Sequence, residues 1–255
     1  MPELANRAPQ ALQAFPALVA FGESKPHCAT CGVRNVCLPE GLEPEAVCEL
    51  ERVVRSRVRV RKRSALFRHG QRFSALYAIR LGTFKTVALA EDGREQVTGY
   101  YIGGEIVGLD GVGDTTYTCD AIALEDGEVC VLPYEALDGL AADLPAFRHH
   151  LYRAISRDIR RAQGAMFMLG SMRAEERLAT FLLDLSRRYQ ARGYSASEFV
   201  LRMTRDETAS YLGLTLETVS RLFSRLQGGG LIQVQGRSIK LLDPLALRRL
   251  ATRMT

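Results

Sequence analysis

The sequence predicts an α+β fold: a β-rich front domain, one long helix and a basic, mainly helical rear domain. Three observations predict it. Short β-prone runs separated by glycine turns occupy about residues 57–132, the hydrophobic period switches from 2 toward 3.6 near Pro133, and charge is divided unevenly. Residues 1–147 carry 15 Lys and Arg against 20 Asp and Glu, whereas residues 148–255 carry 19 against 9. The net charge of +5 therefore joins an acidic front to a basic rear, and the rear is the part suited to a polyanion. A chain of 255 residues, 47% hydrophobic and 25% charged, can bury two cores and is neither a disordered tail nor a fibrous repeat. No apolar run approaches the roughly 20 residues of a membrane helix. Ala11 to Phe21 is apolar but is broken by Pro16 and lacks a basic flank, so no signal peptide is expected and the chain reads as cytoplasmic.

Residues 1–27 show no periodicity and read as a loose arm. Pro39, Gly41 and Pro44 punctuate the passage into a short helix near Glu45 to Val54. Val58 and Val60 alternate with arginines, whose row from Arg55 to Arg63 reads as a solvated strand face. Leu76 to Ile79, Thr83 to Leu89, Gln96 to Tyr101 and Val129 to Leu132 follow as strands of a sandwich, barrel or roll. Phe147, Leu151, Ile155, Ile159, Ala162, Met166 and Leu169 then recur at spacings of 3 and 4. They make one narrow apolar stripe on a helix of more than 20 residues, which suits pairing with a second copy. The expected boundaries are residues 1–40 for the arm, 41–140 for the β domain, 141–170 for the long helix and 171–255 for the rear domain.

In the rear domain, Thr204-Arg205-Asp206-Glu207 fits a capping box, and the helix it opens breaks at Gly213-Leu214-Thr215. Thr215 caps a second helix from about Leu216 to Gln227. Val219, Leu222, Phe223 and Leu226 lie on one side of it; Glu217, Ser220, Arg221, Ser224 and Arg225 lie on the other. Leu231 to Val234 and Ile239 to Leu242 flank Gly236-Arg237 as a β-hairpin wing. This is the pattern of a winged helix-turn-helix whose second helix enters the major groove of double-stranded DNA. Arg221 can donate twice to guanine and Glu217 can accept from a cytosine amino group. Thr215, Thr218, Ser220 and Arg225 complete the candidate DNA-binding set.

Six cysteines in a cytoplasmic chain are poor evidence for disulfides, because that compartment keeps thiols reduced. Cys28-x2-Cys31 alone fits zinc, a redox pair or an iron–sulfur cluster; Cys37 five residues further on favours a metal loop. A fourth ligand is needed. His27 is too close in sequence to close the site without strain, and Cys48, Cys119 and Cys130 remain as candidates. No nucleophile–base pair, glycine-rich phosphate loop or paired carboxylates stand out, so no enzyme activity is expected.

Taken together these residues resemble the oxygen-sensing FNR (fumarate and nitrate reduction) regulators of the cyclic-AMP receptor protein superfamily. The resemblance runs from about Cys28 to Leu250. It rests on the three spaced cysteines, Leu76-Tyr77-Ala78-Ile79-Arg80, Val107-Gly108-Leu109-Asp110, Ala174-Glu175-Glu176-Arg177-Leu178, and Tyr211 to Thr215 followed by Glu217-Thr218-Val219-Ser220-Arg221. It implies a cyclic-nucleotide-binding-like β-roll, a dimerisation helix and a winged helix-turn-helix. It also implies that Cys130 joins Cys28, Cys31 and Cys37 around a [4Fe–4S] cluster, leaving Cys48 and Cys119 as small buried apolar residues.

By the same resemblance, Glu217, Ser220 and Arg221 are the base-reading trio for TTGAT-N4-ATCAA-like palindromes. The homodimer seam holds Leu151, Ile155, Ile159, Ala162 and Met166. An intact cluster favours pairing and anaerobic transcription control, while Arg157, Arg160 and Arg161 keep the seam marginal by repulsion. RNA polymerase is the further partner, through loops such as Glu91-Asp92-Gly93-Arg94. The stretch Gly108 to Gly111 with Asp114 to Thr118 has no arginine to counter a phosphate, so no cyclic nucleotide is expected. Gly228-Gly229-Gly230 departs from the family as a more flexible entry to the wing. The alternative is the same architecture with a structural zinc and no oxygen sensing.

Overall fold

The computed structural model describes residues 27–38 and 43–252. Apart from His27, the loose arm read over residues 1–27 lies outside the described residues, as do Pro39 and Gly41. The front domain is built from β1 (Ser56–Val60), β2 (Ala65–Phe67), β3 (Ala75–Leu81), β4 (Thr83–Leu89), β5 (Glu95–Ile102), β6 (Ile106–Val107), β7 (Asp120–Ala123) and β8 (Gly127–Pro133). They form two antiparallel sheets in the orders β1-β8-β3-β6 and β2-β7-β4-β5, so the chain crosses repeatedly between layers, as a roll does.

Period-2 alternation decides what each layer faces. Val58, Val60, Tyr77, Ile79, Val129 and Val131 point between the sheets and are buried with Phe67, Phe84 and Tyr117. The rings of Phe67 and Tyr117 stack with centroids 3.8 Å apart, filling the interior. The alternate residues Leu76, Ala78, Cys130 and Leu132 face the other way. There they pack beneath α2 (Pro44–Val53), α3 (Tyr134–Asp143) and Phe147 in a second core. β2, β6 and β7 went unread in the sequence because strands of two to four residues are too short to show a period. The row of arginines is not uniformly solvated: Arg57 is largely covered and pairs with Glu128 at 3.2 Å.

The long helix, α4 (Pro145–Ser171), begins at a proline, whose missing N–H costs nothing in a first turn. Its predicted stripe is divided. Phe147 is buried against the front domain and Leu151 and Ile155 are half-covered, while Ile159 is 53% and Met166 73% exposed, with Ala162 exposed between them. Arg161 does not supply a repulsive charge: it points inward, over the ring of Tyr101, and pairs with Glu105 and Asp158. Arg157 and Arg160 line a cleft between this helix and the rear domain.

The rear domain contains α5 (Ala174–Gln190), β9 (Glu198–Val200), α6 (Arg205–Leu212), α7 (Leu216–Gly228), β10 (Ile232–Gln235), β11 (Ser238–Leu241) and α8 (Pro244–Ala251). Its wing has three strands, in the order β10-β11-β9, rather than the two expected. Leu178, Leu182, Leu185, Leu212, Val219, Ile232, Ile239 and Leu247 make its core.

Candidate functional site: four thiols and a recognition helix

The thiol loop is wound by local chemistry. The Cys31 amide donates to the Cys28 carbonyl at 3.2 Å and the Arg34 amide to the Cys31 carbonyl at 3.0 Å, leading into a one-turn helix, α1 (Arg34–Cys37). The Ala29 amide, donating to Glu51 at 3.1 Å, pins the loop to α2. On the sheet side, Cys130 sits on β8 with Arg57 of β1 and Ala78 of β3 as its register partners. Cys28, Cys31, Cys37 and Cys130 thus line one small apolar cavity, together with Val33, Leu38, Arg57 and Ala78. They are brought together across some 90 residues of chain, which spacing could not have shown.

The two spare thiols lie elsewhere. Cys119 is buried as expected, but Cys48 is exposed on α2, contrary to the buried apolar role the sequence suggested for it. Burial pushes the Cys28 and Cys37 thiols up to about 12, with Cys130 nearby adding to both. Burial also raises Cys130, against the opposing pull of Arg57. Three thiols raised in this way become thiolates together only when a cationic centre compensates them. The donor set therefore fits an iron–sulfur cluster in its chemistry. Among the described residues, no three His, Cys, Asp or Glu side chains are gathered tightly enough to chelate a single ion.

The helix-turn-helix is built from caps. Thr204 accepts from the Glu207 amide at 3.1 Å while Glu207 accepts from the Thr204 amide at 2.7 Å. Gly213 takes the left-handed conformation that closes α6, with the Leu214 amide reaching Ala209 and the Gly213 amide reaching Ser210. Thr215 caps α7 by accepting from the Thr218 amide at 3.2 Å, and the two hydroxyls lie 3.0 Å apart. Gly228-Gly229-Gly230 is a second stop of the same kind rather than slack: Leu231 N–H bonds Leu226 and Gly230 N–H bonds Gln227.

Val219, Leu222, Phe223 and Leu226 anchor α7 in the core, leaving Glu217, Ser220, Arg221 and Arg225 exposed on its outer face. Arg225 also stands 3.7 Å from Glu175.

Two groups that sequence reasoning passed over organise the joints. Arg177 donates to Leu169 and Met172 at the end of α4 and to Leu212 and Gly213 at the end of α6. Glu105 is enclosed by Arg161, Arg188 and Arg192. For Glu105 the only signal was a charged residue in an otherwise apolar, glycine-rich stretch; Arg177 lies in the charged run from Arg173 to Arg177, where nothing marked it out.

A β-roll, a long helix and a winged helix-turn-helix with an exposed polar face define a DNA-binding transcription regulator. Residues 57–143 match the cyclic nucleotide-binding domain family and residues 176–250 the Crp-like helix-turn-helix domain family. The chain is 44% identical to the transcriptional regulatory protein btr of Bordetella pertussis, over 88% of this chain and 93% of that protein. It is 39% identical to the fumarate and nitrate reduction regulatory protein of Escherichia coli, over 88% of this chain and 90% of that one. Among solved structures, FixK2 from Bradyrhizobium japonicum superposes with a TM-score of 0.72 at 29% identity, covering 78% of this chain and 98% of that one. The chain belongs to the FNR-type regulators of the CRP/FNR family, and it is a transcription regulator rather than an enzyme. Among the described residues, no helix is long and apolar enough to cross a membrane.

Proposed function

We propose that this protein is a cytoplasmic oxygen sensor that controls anaerobic transcription, activating genes through a [4Fe–4S] cluster held by Cys28, Cys31, Cys37 and Cys130. The observation that carries this reading is the shared cavity: thiols from an arm loop and from the middle of β8 line one apolar space. A cluster bound there supplies bonds between iron and sulfide that oxygen breaks. The chain's own part is mechanical. Three thiolates belong to a short loop and the fourth to a rigid strand, so loading the site ties the loop to the roll. The loop also touches α4, since the Cys37 carbonyl lies 3.0 Å from His150 Nε2.

Two chains pair along Leu151, Ile155, Ile159, Ala162 and Met166, a stripe on which one chain leaves Ile159, Ala162 and Met166 open and Leu151 and Ile155 half-covered. Pairing sets two copies of α7 one turn of DNA apart on a TTGAT-N4-ATCAA-like palindrome. Glu217, Ser220 and Arg221 read bases. Thr215 and Thr218, committed to the cap, and Arg225 hold the backbone. RNA polymerase is met through the exposed tip at Glu91 to Arg94. A cyclic nucleotide is not the signal: the 108–118 loop carries no basic residue. Asp110 occupies it, accepting from the Thr118 amide and hydroxyl at 2.8 and 3.0 Å, where a phosphate would be repelled.

The test is the visible spectrum of anaerobically purified protein before and after air, with iron and sulfide assayed. About four irons per chain and a band that changes in air support the reading. Colourless protein with stoichiometric zinc refutes it, as would a Cys130→Ala variant that retained iron and anaerobic DNA binding.

A further inference from the structure

The turn between β5 and β6, Gly103-Gly104-Glu105, is touched by three separate parts of the chain. From the rear domain, Arg188 Nη2 donates to Glu105 Oε2 at 2.6 Å and Arg192 Nη2 to Oε1 at 2.9 Å. The same arginines reach past the carboxylate to the backbone, Arg188 donating to the Tyr100 carbonyl at 2.5 Å and Arg192 Nε to the Gly103 carbonyl. From the long helix, Arg161 approaches Glu105 Oε1 at 3.3 Å. From the thiol arm, α1 lies on the glycines. A Cβ on Gly103 would sit 3.5 Å from Val33, and one on Gly104 would collide with the Val36 methyl. Val36 immediately precedes Cys37.

We propose that Glu105 is a positioning residue that couples the seat of the thiol-bearing helix to the long helix and to the DNA-binding domain. The inference rests on the cluster reading above, and adds the route by which the arm is felt at the other two parts. The packing makes the coupling close on one side, because the short, branched Val36 side chain of α1 fills the space that a Cβ on Gly104 would occupy. Charge makes it steep on the other side. Three guanidiniums converge on a single buried carboxylate, so any displacement of the turn weakens three attractions and leaves three like charges facing one another. A static ion pair would only stabilise; this one sits in a turn whose adjoining Gly104 packs against Val36 of the sensing arm.

The test uses the full chain, purified anaerobically, as wild type, Glu105→Gln and Arg192→Gln. The last leaves Glu105 its Arg161 and Arg188 partners and serves if Glu105→Gln fails to fold. Iron and sulfide, palindrome affinity before and after air, and backbone hydrogen exchange are measured on each.

In the wild type, coupling of ordinary size makes affinity before air about 5- to 150-fold higher than after it. Both variants should hold wild-type iron and sulfide yet bring that ratio to within about twofold of unity. Exchange should rise together in residues 33–38 and 186–193 and stay unchanged in residues 219–226. Unchanged iron with an unchanged ratio overturns the proposal, as does a rise at 186–193 with none at 33–38. If the wild type itself shows no response to air, the cluster reading has failed. The exchange pattern then decides the joint alone: a paired rise upholds it and an unpaired one overturns it.

Discussion

Replacing Arg177 with Met should loosen the whole connection between the long helix and the helix-turn-helix. The last carbonyls of a helix have no partner within it and carry the negative end of its dipole. Here two such ends, that of α4 at Leu169 and Met172 and that of α6 at Leu212 and Gly213, meet on one guanidinium at 2.8, 2.9, 3.0 and 3.4 Å. Hydrogen bonds to a charged group contribute about 1.5–3 kcal/mol each when they are well formed. Three of these four are short enough to count, but they share one side chain and water can reach part of the gap. We therefore expect a loss of about 4 kcal/mol, below the simple sum.

For a chain of this size that corresponds to a fall in Tm of about 8–16 °C, read by calorimetry or circular dichroism. Arg177→Lys keeps the charge against both dipoles but loses the planar fork, and should recover about half the loss. A Met variant melting within about 2 °C of wild type would refute the reasoning. So would a Lys variant no better than Met, since that would make the charge irrelevant. The Met variant should also discriminate less between palindromes with spacers of different length, because Arg177 ties the end of α4 to the turn that leads into α7.

Arg221→Ala should leave the melting curve unchanged, since the side chain is exposed, while costing about 1–3 kcal/mol of discrimination at one base pair per half-site in a competition binding assay. Ile159→Glu places like charges face to face on the open stripe. Sedimentation of the anaerobic protein should show monomer where wild type shows dimer, with secondary structure retained. Acid should act through Glu105. Burial alone would raise its pKa, but Arg188, Arg161 and Arg192 outweigh burial and hold the carboxyl below the usual glutamate range. A depressed folded-state pKa means its contribution is fully present above the unfolded value of about 4.3 and is lost as pH falls through the lower folded value. Stability measured from pH 6 downward should therefore drop more steeply in wild type than in Glu105→Gln, below about pH 4.3.

Much of this protein is written in local chemistry. Capping residues at Thr204 and Thr215, the glycine at 213 and the apolar face of α7 each act within a few residues, so their positions alone determine the helix-turn-helix and its outward polar row. The long helix was legible for the same reason, its period being repeated over six turns. The tertiary structure decided everything that depends on which segments become neighbours. Cys130 meets the arm thiols because β8 pairs between β1 and β3 with that residue on the outer face, and no spacing rule encodes such a register. Arg161 turns inward, though it occupies a helical position like that of its exposed neighbours, because a buried carboxylate from another element waits there. The same holds for Arg177: a long cation looks like surface in sequence until two helix ends arrive at its tip. Caps and periods are properties of adjacent residues, whereas cages, joints and ion-pair hubs are properties of chain crossings.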